Sequence, residues 1–158
     1  MKRSIKKGLS FGLTSGVITT LGMMVGLNAS TGSRIAIIGG VMAIAVADAF
    51  SDAVGIHIAE ESENRHSERE IWESTFSTFV SKFLIASTFV APVLIFELYM
   101  AIVLSVIWGL ALIMIFSYYM ATQQGVNPYK VVLEHVAIVG LVIMITHHVG
   151  KWIGSLCH

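Results

Sequence analysis

Residues 83–121 read FLIASTFVAPVLIFELYMAIVLSVIWGLALIMIFSYYMA, an apolar run of 39 residues whose one charge is Glu97. As a single helix it would extend about 58 Å at about 1.5 Å per residue. The hydrocarbon core of a bilayer accommodates only about 20 such residues. The run therefore predicts two membrane spans, near 75–97 and 99–121, with the turn at Pro92 or in the Glu97–Tyr99 region. Downstream, TQQGVNP supplies Gly125 and Pro128, a helix stop and a restart, and predicts a fifth span at about 131–153. Upstream, 8–28 and 35–58 are long enough for the first and second spans. Between the second and third lies EESENRHSEREIWES, the one strongly polar segment of the chain. The fold class expected is an all-α integral membrane protein of five transmembrane helices, a single membrane domain over 1–158 with an acidic loop at 59–74.

Composition agrees with that reading. The chain is 55% hydrophobic and 13% charged, with a mean hydropathy of +0.78, whereas ordinary soluble domains are about 25% charged. Its formal net charge is zero, which gives no reason to expect a nucleic-acid partner or surface attachment by bulk charge. The single cysteine, Cys157, cannot build a disulfide framework or a cysteine-rich metal centre within one chain. The start MKRSIKKGLSFGLTSG has the basic character of a signal peptide. Its apolar part, however, runs on to about Leu27 without a clear small-residue cleavage site, so it reads as a retained first span.

Lys and Arg set the expected orientation. Lys2, Arg3, Lys6, Lys7, Arg65, Arg69, Lys82 and Lys130 fall on one side of a five-span layout, and Arg34 and Lys151 on the other. That bias places the N-terminus and the acidic loop in the cytoplasm and the C-terminus outside. Glycines in spans one and two permit close helix contacts.

The chemistry is expected in span two, where residues 47–63 read ADAFSDAVGIHIAEESE. Charge at the bilayer centre costs about 2.5–3.5 kcal/mol on insertion scales, so intramembrane carboxylates mark candidate sites. At helical spacing Asp48 and Asp52 share a face, and Glu63 returns to it if the helix continues. Gly55 leaves space beside them, and His57 points to nearly the opposite face. Carboxylate oxygens suit hard or borderline divalent cations and also carry protons. The competing reading is that the two aspartates are protonated or paired and only join helices. In span one, Thr14, Ser15, Thr19 and Thr20 are neutral oxygen donors. Such hydroxyls commonly bond back to the i−4 carbonyl, and Ser15, beside Gly16, is the one singled out. In the loop, Glu60, Glu63, Glu70 and Glu73 either gather cations at a cytoplasmic mouth or form a solvated face balanced by Arg65 and Arg69. Glu97 and the pair His147–His148 read as interfacial, and Glu134 opens span five, where an acidic residue suits a helix N-terminus. No Ser-His-Asp order, Walker loop, haem motif or HExxH occurs, so nothing points to an enzyme or to a bound cofactor.

Taken together and in order, GLTSGVITTLGMMVGL, ADAFSDAVGIHIAEESE, STFVAPVLIF and GVNPYKVVLEHVAIVGLVIMITHHVGKWIG resemble the first, second, third and last helices of the vacuolar iron transporter family. The resemblance covers most of the chain. It implies a homodimer with a pore between the first two helices of each subunit, located here in the cell membrane of a prokaryote. It also implies export of Fe²⁺ or Mn²⁺ from the cytoplasm in exchange for protons, with glutamates after helix two capturing the metal. The metal-binding residues expected are then Asp48 and Asp52, with Ser15 and Thr19 opposite, and Glu60, Glu63, Glu70 and Glu73 at the mouth. Four features depart from the family pattern. Ser15 stands where the family has Asp, Asp52 where it often has Met, and Ile56 where a carboxylate is common. The acidic loop is also far shorter than the family's cytoplasmic helices. Exchange of sulfur for oxygen at position 52 favours harder ions, Mn²⁺ over Fe²⁺. The alternative expectation is a non-transporting membrane scaffold whose aspartates pair helices. A membrane metalloenzyme, which needs three or four convergent ligands, is the weakest reading.

Overall fold

A computed structural model describes residues 2–156, and Cys157 lies outside them. It is all-helical. Helix α1 spans Arg3–Thr31 and α2 spans Arg34–Ala43, which runs through a π-helical turn, Ile44–Asp48, into α3, Ala49–Ser62. Then follow α4 (Glu68–Thr88), α5 (Val90–Ile95), α6 (Leu98–Gln124) and α7 (Pro128–Leu156). Five continuous stretches are long and apolar enough to cross a membrane: Arg3–Thr31, Arg34–Ser62, Glu68–Ile95, Leu98–Gln124 and Pro128–Leu156. Each extends several residues beyond the apolar part read from the sequence, because the backbone ladder continues into polar residues.

The long apolar run is divided at both of the suggested places. Pro92 has no N–H and its ring crowds the carbonyl four residues back. That carbonyl belongs to Thr88, where α4 ends, and the Phe89 N–H turns to the Ala86 carbonyl instead. The turn proper comes at Phe96–Glu97, where Glu97 is extended (ψ 150°) and Arg34 Nη2 donates to the Phe96 carbonyl at 2.9 Å. Helix α6 stops at Gly125, which takes the left-handed conformation (φ 69°) that a Cβ disfavours. Pro128 opens α7, where its missing N–H costs nothing.

Contacts gather the chain into two compact units. The first comprises the chain up to Thr20 together with Val41–Val90, and the second Leu21–Gly40 with the chain from Ala91 onward. In the first, Ala45, Ala49 and Ala53 recur every fourth residue, are buried, and lie on the helix that packs on α4. Gly8 and Gly12 of α1 approach the α4 backbone so closely that a Cβ at either would strike a carbonyl, that of Ser74 or Thr78. Ser81 Oγ donates to the Leu9 carbonyl at 3.0 Å and pins the same contact. In the second unit α6 packs on α7. A four-residue repeat of α6, Ala101, Ser105, Gly109, Ile113, Ser117 and Ala121, is buried. Gly22 and Gly26 of α1 meet Val142 and Thr146 of α7, and Gly150 lies against the Gly26 carbonyl.

Candidate functional site: an ion cluster within the helices

Lys82 is the residue that sequence reading misplaced. The charge bias sets it on one side of the membrane with the residues that orient the chain, yet it sits well inside α4 and is 0% exposed. Its ammonium pairs with Asp48 Oδ2 at 2.6 Å and Asp52 Oδ2 at 2.5 Å, and donates to Ser15 Oγ at 2.9 Å. Three helical segments thus meet at one nitrogen. Gly16 makes room for it: a Cβ there would lie 3.4 Å from Lys82 Cα and Cγ. A usable signal did exist in the sequence. Position 82 falls inside the predicted third span, and a lysine in a span requires a buried counter-charge. Without it, seven of the eight charges remain on the more basic side of the five-span layout: Lys2, Arg3, Lys6, Lys7, Arg65, Arg69 and Lys130.

Asp48 and Asp52 do share a face, since both reach the same ammonium. Neither side chain is sealed: Asp48 is 34% and Asp52 19% exposed. Lys82 meets each of them through Oδ2. Among the described residues the hydrogen bond found to the Asp52 carboxylate is the one from Lys82 to Oδ2. Space beside Gly55 is open as expected, with nothing within 4 Å of a Cβ built there. His57, nearly opposite Asp48 at helical spacing, also reaches α4. Its Nδ1 lies 3.0 Å from Thr75 Oγ1 of α4, and its ring meets Trp72 edge-on. The reason is the alanine stripe, which sets the contact face. Asp48 and Asp52 lie to one side of Ala49 and Ala53, and His57 lies one turn on, close to the stripe itself.

Ser15 is at the cluster, but Thr19 does not spend its hydroxyl there; it donates to the Ser15 carbonyl at 2.9 Å. Thr20, buried on the same helix, has a hydroxyl without a hydrogen-bond partner among the described residues.

The four glutamates are each engaged at the polar end of this unit. Glu60, nearly fully buried, pairs with Lys7 and, at 3.2 Å, with His66 Nε2. Glu63 is 3.3 Å from the same nitrogen and 4.0 Å from Lys7. Glu63 caps the C-terminus of α3, and Asn64 takes a left-handed conformation (φ 49°) just beyond, so the helix does not continue past it. Glu70 closes a capping box with Ser67, and Glu73 pairs with Lys2 and Arg69 and accepts from Ser4 at 2.8 Å. Glu60, Glu63 and Glu70 line one cavity of about 480 Å³ together with Arg3, Lys7 and His66, while Glu73 faces another, more apolar one. Among the described residues no three His, Cys, Asp or Glu side chains are placed to hold a metal ion.

Glu70 and Glu73 precede the apolar part of α4, and both carboxyls are held below the usual glutamate range. For Glu70 the cause is the Ser67 backbone N–H and then its hydroxyl; for Glu73 it is Lys2 and then Ser4. The cap therefore contributes fully above the ordinary glutamate value and is lost as pH falls through the depressed one. Ser67→Ala should cost about 1 kcal/mol, as for other N-caps. Chemical or thermal unfolding above and below that pH range checks it, and the penalty should shrink in acid. The box was legible as S-x-x-E at 67–70.

No protein-family model matches the chain, and no curated protein matches it in sequence.

Proposed function

We propose that the chain is a multi-pass membrane transporter that carries a cation in exchange for protons, with Asp48 and Asp52 as the intramembrane cation site. One observation carries this: two part-exposed carboxylates lie on one apolar helical span beside a fully buried ammonium, and the ammonium meets each of them through Oδ2. The composition of α2–α4 makes such charges costly, which is the argument for a role beyond packing. The resemblance to vacuolar iron transporters implies Mn²⁺ or Fe²⁺ as cargo, a homodimer, and residence in a prokaryotic cell membrane. The seven-against-two bias of Lys and Arg supports a cytoplasmic N-terminus and a C-terminus on the opposite side.

The test is ion flux into proteoliposomes with Mn²⁺, Fe²⁺, Na⁺ and K⁺ and a pH-sensitive dye inside. Asp48→Asn and Asp52→Asn should each abolish cation-linked proton movement while expression and elution volume stay unchanged. Full activity in both variants sinks the site assignment. A second reading, a non-transporting scaffold, draws on the same cluster: Lys82 ties α1, α4 and the second span through Ser15, Asp48 and Asp52. It predicts no flux from wild type and normal assembly of the uncharged triple variant Asp48→Asn, Asp52→Asn, Lys82→Met.

A further inference from the structure

Building on the transport reading, we propose that Lys82 sets the valence of the cargo, so that the site as it stands takes a monovalent cation in preference to a divalent one. Lys82 is a fixed part of the site. It is 0% exposed, its stem lies over Gly16, and its ammonium contacts three oxygens at 2.5–2.9 Å. Stepping aside would leave a buried ammonium without partners, which is strongly unfavourable. The part-exposed side of the cluster is the carboxylate side, formed by Asp48 and Asp52, and it is there that an incoming ion would be met. Among the described residues the ion pairs of Lys82 are with Asp48 and Asp52 alone, while α1 presents the neutral Ser15 and Gly16.

Charge then decides. Two carboxylates and one ammonium sum to one net negative charge. A monovalent ion brings the cluster to zero. A divalent ion leaves one uncompensated positive charge in a low-dielectric site. Attraction to the net charge grows in proportion to the ion's charge, but the Born cost of removing the ion from water grows with its square. Doubling the valence doubles the gain and quadruples the cost. Without Lys82 the cluster carries two negative charges, and the balance moves to divalent ions. A lysine-free carboxylate pair is thus the site that Mn²⁺ or Fe²⁺ would suit, and this chain departs from it.

The experiment compares Na⁺ and K⁺ with Mn²⁺, by flux in proteoliposomes and by equilibrium binding in detergent, for wild type, Lys82→Met, Lys82→Gln and Lys82→Arg. Wild type and Lys82→Arg should favour the monovalent ions. Lys82→Met should shift the Mn²⁺-to-monovalent ratio toward Mn²⁺ by about tenfold or more, the factor that about 1.4 kcal/mol produces. If Lys82→Met does not fold, Lys82→Gln carries the comparison, because it keeps a hydrogen-bond donor without the charge. Cation flux with the same ratio in wild type and the neutral variant overturns this inference and leaves the transport reading standing. Absence of any cation flux or binding in wild type overturns both.

Discussion

Exchange of Asp48 and Asp52 together for asparagine will destabilise the protein by about 3–5 kcal/mol, the loss that follows when a buried charge is stripped of its partner. The ammonium of Lys82 is wholly buried, so it cannot recover by reaching water. Asparagine keeps an oxygen at each position but no charge to balance the lysine. The diagnostic step is the third substitution. Lys82→Met added to the double variant should restore most of the stability, because a charge-free cluster of similar volume is often as stable as the ion pair it replaces. Unfolding in detergent micelles, followed by helical circular dichroism against denaturant, measures both. If the double variant is as stable as wild type, the buried pair is not what holds α4 to the second span. If the triple variant is no better than the double, the loss comes from packing at positions 48 and 52, and charge is not its source.

The second large effect concerns the α1–α4 contact. Gly12→Ala should cost about 1–3 kcal/mol, the usual range for forcing an extra group into a filled interior. A Cβ at position 12 meets the Thr78 carbonyl oxygen, with Ser81 Cβ at 3.0 Å and the Lys82 amide nitrogen at 3.1 Å. Two of these atoms are backbone, so no rotamer change relieves the clash, and the helices must separate. Separation also breaks the bond from Ser81 Oγ to the Leu9 carbonyl and loosens Ser15 from Lys82. Gly39→Ala and Gly55→Ala are the controls. Nothing lies within 4 Å of a Cβ at either site, and both positions are helical. There alanine should be neutral or add about 0.5–1 kcal/mol. The sign difference between position 12 and positions 39 and 55 is the measurement that matters. Equal effects at all three would place the cause in helix propensity and not in close packing.

Much of the architecture was legible from length and polarity alone. The 39-residue apolar run required two helices, and Pro92 and Glu97 marked the places where the chain breaks. Gly125 and Pro128 announced the last turn for the same stereochemical reasons that the structure displays. The pairing of Asp48 with Asp52 on one face followed from their four-residue spacing. What periodicity could not give was the partner. Hydropathy counts Lys82 as one polar residue in a long helix, and a charge count only gives it a side; the meeting of helices far apart in sequence is what makes it a counter-ion. The contact of His57 with α4 was not legible for a related reason. A wheel drawn from Asp48 has no knowledge of which arc contacts α4, and the alanine repeat at 45, 49 and 53 was the clue to that arc. The loop glutamates cluster in sequence, and that alone does not divide them: Glu60 and Glu63 share Lys7 and His66, Glu70 serves the cap, and Glu73 pairs with Lys2 and Arg69.

The π-helical turn at Ile44–Asp48 has a consequence for anyone altering this helix. A π turn closes its hydrogen bonds five residues apart and so carries one residue more than an α turn needs. Residue counting from Ile35 toward Asp48 therefore slips by one place, and a helical wheel carried across the turn assigns upstream side chains to the wrong sector. The same surplus makes 44–47 the stretch where a single-residue deletion can be absorbed: the wide turn tightens to a regular one, the helix stays unbroken, and Asp48 and Asp52 keep their bearing on Lys82.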